Sequence, residues 1–162
     1  MTDRVSPKPD AFHSVTPYLV IKGAAQAIDF YKQAFGATEV GRMADPAGKI
    51  ANAQIKIGDS LIMITDESPG QKELGTGSPT SLGASSVVIS LYVEDVDAAA
   101  TRAIGAGARV LIPLADRFYG DRDGRFADPF GHIWILSTHK EDVSKEEMER
   151  RVAKMMKHQP PA

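Results

Sequence analysis

The sequence predicts an α+β fold: two pseudo-symmetric βαβββ modules around one cleft, followed by a C-terminal helix. Three observations predict it. LVIKGAAQAIDFYKQAFGATEV, residues 19–40, is answered by LYVEDVDAAATRAIGAGARVL, residues 91–111. Downstream, DPAGKIANAQIKIGDSLIMITDE (45–67) is answered by DRDGRFADPFGHIWILSTH (121–139). Solenoid repeats are shorter and need about three copies to bury a core, so two long copies point to a pair that shares one cavity.

Each copy opens with a short apolar strand and a turn, then an alanine-rich helix. Gly36-Ala37 and Gly107-Ala108 stand at matching places past those helices, where glycine commonly takes the left-handed C-cap. A strand follows, and a D-x-x-G turn is expected to open a hairpin, at Asp45–Gly48 in one copy and Asp121–Gly124 in the other. A second turn, Gly58-Asp59 or Gly131-His132, leads into the last strand. Residues 67–85 are rich in Gly, Ser and Pro and read as a mobile connection that covers the cavity. Ser144 with Glu147 carries the capping-box signature, and Met148, Val152 and Met155 recur at helical spacing. The expected division is a tail at 1–12, one domain at 13–140 (modules 13–66 and 86–140), and a helix and tail at 141–162.

Composition narrows the function. The formal net charge is −2 and the basic residues are interleaved with acids, so nucleic-acid binding lacks an electrostatic footprint. The absence of cysteine removes disulfides, thiolate metal sites and a cysteine nucleophile, and it fits a reducing compartment. The polar, proline-bearing start has no apolar stretch of the signal-peptide kind, and no run approaches the roughly 20 apolar residues of a membrane span. The expectation is a soluble, cytoplasmic protein with neither nucleic-acid nor membrane partners. No nucleophile elbow, phosphate loop or dinucleotide fingerprint is present.

The repeat, together with TPYL, AIDFYKQAFGA, GDSLIM, LYVEDVDA and DPFGHIW, resembles the vicinal oxygen chelate superfamily over residues 13–140. That group includes glyoxalase I, bleomycin-resistance proteins, fosfomycin-resistance enzymes and extradiol dioxygenases, and the sequence is most similar to its PhnB-like branch. The resemblance implies an incomplete barrel, a homodimer, and a small-molecule ligand in the cleft. In metal-dependent members it further implies ligands on the first and last strand of each module. Carried over, those positions fall on Thr16, Met63, Val88 and Ile135, none of which offers the imidazole or carboxylate such a metal wants. No metal or other cofactor is therefore expected, with Mn, Fe, Ni or Zn as the alternative.

Alternation along the strands predicts a cavity lined by Thr16, Tyr18, Met63, Thr65, Val88, Ser90, Tyr92, Ile135 and Ser137, extended by Phe118 and Tyr119 from a loop. This lining suits a small, partly aromatic or amphipathic molecule. The same parity turns His132 toward the helices, in a structural role. Asp121, Asp123 and Asp128 read as turn-capping residues, with Arg122 and Arg125 as their partners or as a fork for an anionic ligand. Candidate catalytic residues are His13, His139, Asp116 and Asp121, helped by Tyr18 or Tyr92 if the histidines meet. The functional expectation is a metal-free small-molecule-binding protein. The alternative is a lyase, isomerase or dioxygenase with displaced ligands, and a third reading makes the C-terminal helix a docking surface.

Overall fold

Short apolar runs bounded by glycine turns become strands, and the two alanine-rich stretches become helices, because small side chains let each helix lie close on a sheet. A computed structural model describes residues 5–71 and 73–157. The first module is β1 (Tyr18–Ile21), α1 (Ala24–Phe35), β2 (Thr38–Ala44), β3 (Ile50–Ile57) and β4 (Ser60–Asp66). A short α2 (Pro79–Leu82) lies in the connection. The second module is β5 (Val88–Tyr92), α3 (Val96–Gly105), β6 (Arg109–Asp116), β7 (Asp121–Ala127) and β8 (Ile133–His139), and α4 (Lys145–Met156) follows.

Each module folds into its own mixed sheet, ordered β1-β4-β3-β2 and β5-β8-β7-β6, with the first pair parallel and the others antiparallel. The expected α+β architecture is thus present, and the two sheets are not closed into a barrel. Among the described residues, no helix is long and apolar enough to cross a membrane.

One face of each sheet is covered by helix. Ala53, Ile55, Ile64, Trp134 and Leu136 are buried there with Ala27, Ile28 and Tyr31 of α1 and Ala100 and Ala103 of α3. The helices also pack on each other, which joins the modules into one core. Gly36 caps α1 in the left-handed conformation expected of it, whereas the cap of α3 is Ala106, one residue before Gly107.

Capping repeats across the modules in a way the residue types conceal. The register Tyr18↔Met63 and Ser90↔Ile135 aligns Asp66 with Thr138, three residues further along each last strand. Asp66 Oδ1 accepts from the Gly23 and Ala24 N–H groups at the start of α1, and Thr138 Oγ1 accepts from the Val96 N–H at the start of α3. Both satisfy donors that a helix N-terminus leaves without partners. Ser144 caps α4 as predicted, but Glu147 turns to Arg150 and Arg151 and leaves half of the capping box unused.

The segment Asp121–Gly124, expected to be a turn, lies inside β7. The hairpin turns at Arg117–Gly120 instead, closed by the Gly120 N–H donating to the Arg117 carbonyl at 3.0 Å. Gly120 holds φ 101°, and a Cβ there would sit 2.1 Å from the Glu141 carbonyl oxygen. Its own carbonyl accepts from the Lys140 and Glu141 N–H groups, so the turn is pressed against the chain leaving β8. Only glycine satisfies both constraints.

Asp128 ties the modules together. Its Oδ2 accepts from the Tyr31 hydroxyl of α1 at 2.7 Å and from the Trp134 indole N–H of β8 at 3.0 Å. Its Oδ1 accepts from the Phe130 and His132 backbone N–H groups, both at 2.9 Å. Burial, reinforced by the Asp128 charge and hydrogen bond, raises the Tyr31 hydroxyl well above its ordinary pKa of 10.0, so it stays a donor. Asp128→Ala, which leaves buried donors without an acceptor, is expected to cost about 3 kcal/mol or more in urea unfolding, and Tyr31→Phe about 1.5 kcal/mol.

Candidate functional site

Opposite the helices, each sheet presents an open face. On the first, Tyr18 and Met63 are register partners, with Thr65 two residues on from Met63. On the second, Ser90 pairs with Ile135 and Tyr92 with Ser137, while Val88 shares their parity. β7 adds Asp121, Asp123 and Arg125, opposite His139, Ser137 and Ile135 in register. The strand alternation predicted for these residues is therefore the alternation they have.

Within this chain, residues of the expected lining are distributed over several clefts. The first, about 490 Å³, sits on the second sheet, where Ile112, Phe118, Ile135 and Met155 form apolar walls around Arg117, Tyr119, Asp123 and Arg125. The second, about 440 Å³, runs from His13 past the β3–β4 turn to Ser90 and Tyr92. The third, about 600 Å³, lies between Tyr18 of β1 and Val88 of β5, under the connection, and reaches His132. Thr65 turns its hydroxyl to the Ala51 carbonyl at 3.0 Å, and Thr16 donates to the His13 carbonyl at 3.4 Å. Both are occupied within the fold. Met63 is half-buried and Ser137 is buried.

The polar cluster of β7 is organised by its acids. Asp123 Oδ1 accepts from Arg117 Nε at 2.7 Å, and Tyr119 donates its hydroxyl to Oδ2. That hydrogen bond, with some burial, pushes the Tyr119 hydroxyl up to about 12. Asp121 Oδ2 accepts from the Tyr92 hydroxyl at 2.6 Å, and Oδ1 lies 2.7 Å from His139 Nδ1. Burial alone would raise the Asp121 carboxyl, but the Tyr92 and His139 hydrogen bonds hold it below its usual range. On the helix side, Arg122 forms a fork to Asp97 of α3 and reaches Asp116 at 3.4 Å.

His13 and His139 are not brought together. His13 Nε2 stands 3.4 Å from the Asp59 carbonyl in the first module, while His139 lies between Asp121 and Asp142, 3.0 Å from the latter. β1 pairs with β4 and β8 with β5 and β7, so the ends of the first and last strands belong to different sheets. Asp116, whose side chain is 80 % exposed, joins neither histidine. His132 is buried with its backbone N–H bonded to Asp128 and its Nε2 without a partner. Burial holds its imidazole below the ordinary value, against the Asp128 charge and the Val20 carbonyl, which act the other way.

Residues 11–136 match the family described as the glyoxalase/bleomycin resistance protein/dioxygenase superfamily. The chain belongs to that superfamily. An uncharacterized protein of Mycobacterium tuberculosis is 43% identical over 136 residues, 84% of this chain and 80% of its own. An Arabidopsis thaliana gene product of known structure shares 27% identity with a TM-score of 0.61, over 78% of this chain and 98% of its own. The PhnB protein of Bacillus cereus, 19% identical over 78% of this chain and 99% of its own, superimposes with a TM-score of 0.56.

The superfamily's metal positions can be tested on donor chemistry. Thr16, Met63, Val88 and Ile135 supply a hydroxyl already donated within the chain, a thioether and two hydrocarbons, which do not fit a divalent ion. Among the described residues, no group of three or more His, Asp or Glu is placed to hold a metal. His139 is the nearest approach to a ligand. Both its ring nitrogens face carboxylate oxygens, which only accept, an arrangement that favours the doubly protonated ring. A metal would take neutral imidazole.

Sequence reasoning missed Arg117 and Met155 as cleft residues. Arg117 lies in the β6–β7 turn and Met155 in α4, beyond the reach of strand alternation; the D-x-D-x-R spacing of β7 marks only Asp121, Asp123 and Arg125 as sharing one face. The hydrogen bonds from Asp121 and then Asp142 raise the His139 pKa above 6.5. A group raised on folding stabilises below its unfolded value, and that contribution is lost as pH rises through the folded one. An NMR titration should therefore find the His139 ring protonated beyond pH 6.5, with Asp121→Asn lowering its midpoint.

Proposed function

We propose that this protein binds a small, partly apolar organic molecule on the open face of its second sheet, independently of a metal at the superfamily's usual positions. The observation that carries this reading is the cleft of about 490 Å³ itself. Four apolar walls surround a few fixed polar groups, the composition expected of a small-molecule site. Its volume lies within the few hundred to about 1,000 Å³ typical of such sites. α4 contributes to it: Arg151 donates to the Phe118 carbonyl at 2.9 Å and pairs with Glu141, which places Met155 at the rim. That supports a closing role for the helix over a separate docking role. The PhnB-like placement accords with the B. cereus likeness and extends no further than fold.

A homodimer belongs to the same proposal. Tyr18, Met43, Val88, Tyr92 and Ile112 stand exposed on the sheet faces opposite α1 and α3. A two-fold pair of identical chains offers each such face the same complementary surface. Sedimentation or light scattering should give twice the mass of 17.4 kDa, and Tyr92→Glu with Met43→Glu should shift the protein toward the monomer.

A second reading, an enzyme of the same superfamily, rests on the Tyr92–Asp121–His139 chain, which could hold and move a proton. One series separates the two. Metal-free protein is screened against neutral aromatic and amphipathic molecules by amide shifts, then offered Mn, Fe, Ni and Zn with elemental analysis. Binding that shifts Ile112, Phe118, Tyr119 and Ile135 without stoichiometric metal supports the binding reading. Retention of one metal per chain, with turnover abolished in folded His139→Ala, would replace it with the enzyme.

A further inference from the structure

The Arg125 side chain makes no hydrogen bond or ion pair within the described residues, and unlike Arg102 and Arg109, which share that property at the exposed surface, it is half-buried. Its Nε is buried without a hydrogen-bond partner, and none of its nitrogens joins an ion pair. A buried donor without an acceptor is unfavourable, and folding has not supplied one for this Nε. The neighbouring acids are committed elsewhere. Asp123, two residues along the same strand face, is occupied by Arg117 and Tyr119, and Asp116 leans toward Arg122.

The surroundings define what the free fork would take. Arg125 is in register with Ile112 of β6 on one side and Ile135 of β8 on the other, and it lines the same cleft as Phe118 and Met155. The strand fixes its position through Gly124. A Cβ there would lie 2.9 Å from the Ile112 carbonyl oxygen and 3.1 Å from the Leu114 N, so only glycine lets the bulged β6 approach this closely. A guanidinium presents parallel N–H donors that match a carboxylate in two hydrogen bonds.

We infer that Arg125 anchors the carboxylate of an aromatic or alkyl monoacid whose apolar body lies against Ile112, Phe118, Ile135 and Met155. A phosphate monoester fits less well, because its second charge would require a second free cation and Arg117 is held by Asp123. This inference rests on the cleft being a ligand site and names the class of ligand it takes.

The test uses two probes of one shape, 2-naphthoate and its neutral amide, titrated calorimetrically into the full-length protein. The acid should bind about tenfold or more tighter than the amide, the scale of one charge-assisted fork. Arg125→Met should erase that preference without changing the oligomeric mass, and Arg125→Lys should retain part of it. Thermal stability of Arg125→Met should not fall, since no internal partner is lost; if this variant fails to fold, a preference undiminished in Arg125→Lys counts against the fork. Equal affinities for acid and amide, a preference surviving in Arg125→Met, or dissociation of a dimer by that substitution would overturn the inference while the cleft reading stood. Binding of neither probe would remove both.

Discussion

The fold turns on one buried carboxylate. Asp128 receives a hydroxyl from one module, an indole from the other and two backbone amides from the turn between β7 and β8. Two small modules, each with a single helix and a four-stranded sheet, would separately leave much of their apolar surface in water. Packing α1 on α3 removes that surface, but apolar contact alone tolerates sliding. A charged acceptor with four donors of fixed direction does not. Tyr31 also lies 5.4 Å from the Trp134 ring, so the polar clamp and the aromatic packing select the same arrangement.

That arrangement uses the helix-covered faces of both sheets for the core and leaves the opposite faces for function. The division is visible in chemistry. Toward the helices stand Ile55, Ile64, Trp134 and Leu136, all buried; on the open faces stand Tyr18, Tyr92, Asp123 and Arg125. Because a strand's side chains alternate, one register fixes both sets together. The pseudo-symmetry extends to the caps, where Asp66 and Thr138 serve α1 and α3 from equivalent points. The modules differ on these open faces, since only the second carries a run of charges along its central strand.

Much of this was legible in the sequence. The repeat gave the element order, and alternation gave the facing of Tyr18, Met63, Ser90, Tyr92, Ile135 and Ser137, because both signals are local and periodic. Three features were not. Asp121–Gly124 has turn composition yet lies in a strand, since the glycine at 120, pinned to Glu141, takes the turn and leaves the one at 124 for close strand packing. Asp128 reads as a local cap, which it is, but its bonds to Tyr31 and Trp134 depend on tertiary approach. The separation of His13 from His139 depends on sheet pairing that no spacing encodes.

Charge accounting along the second sheet then separates residues that the fold itself pairs from the one it does not. Asp97 and Asp116 answer Arg122, Asp123 answers Arg117, and Asp121 answers His139. Each of these charges is explained inside the chain, and the cluster to that extent is scaffold. Arg125 is left over, half-buried in a cleft with its Nε buried and without a partner. A fold that pairs the charges flanking Arg125 but leaves its Nε buried without an acceptor beside isoleucine and phenylalanine walls leaves a donor that an anionic, apolar-bodied molecule would satisfy. The absence of internal pairing, rather than any particular bond, is what sets Arg125 apart from the paired charges beside it.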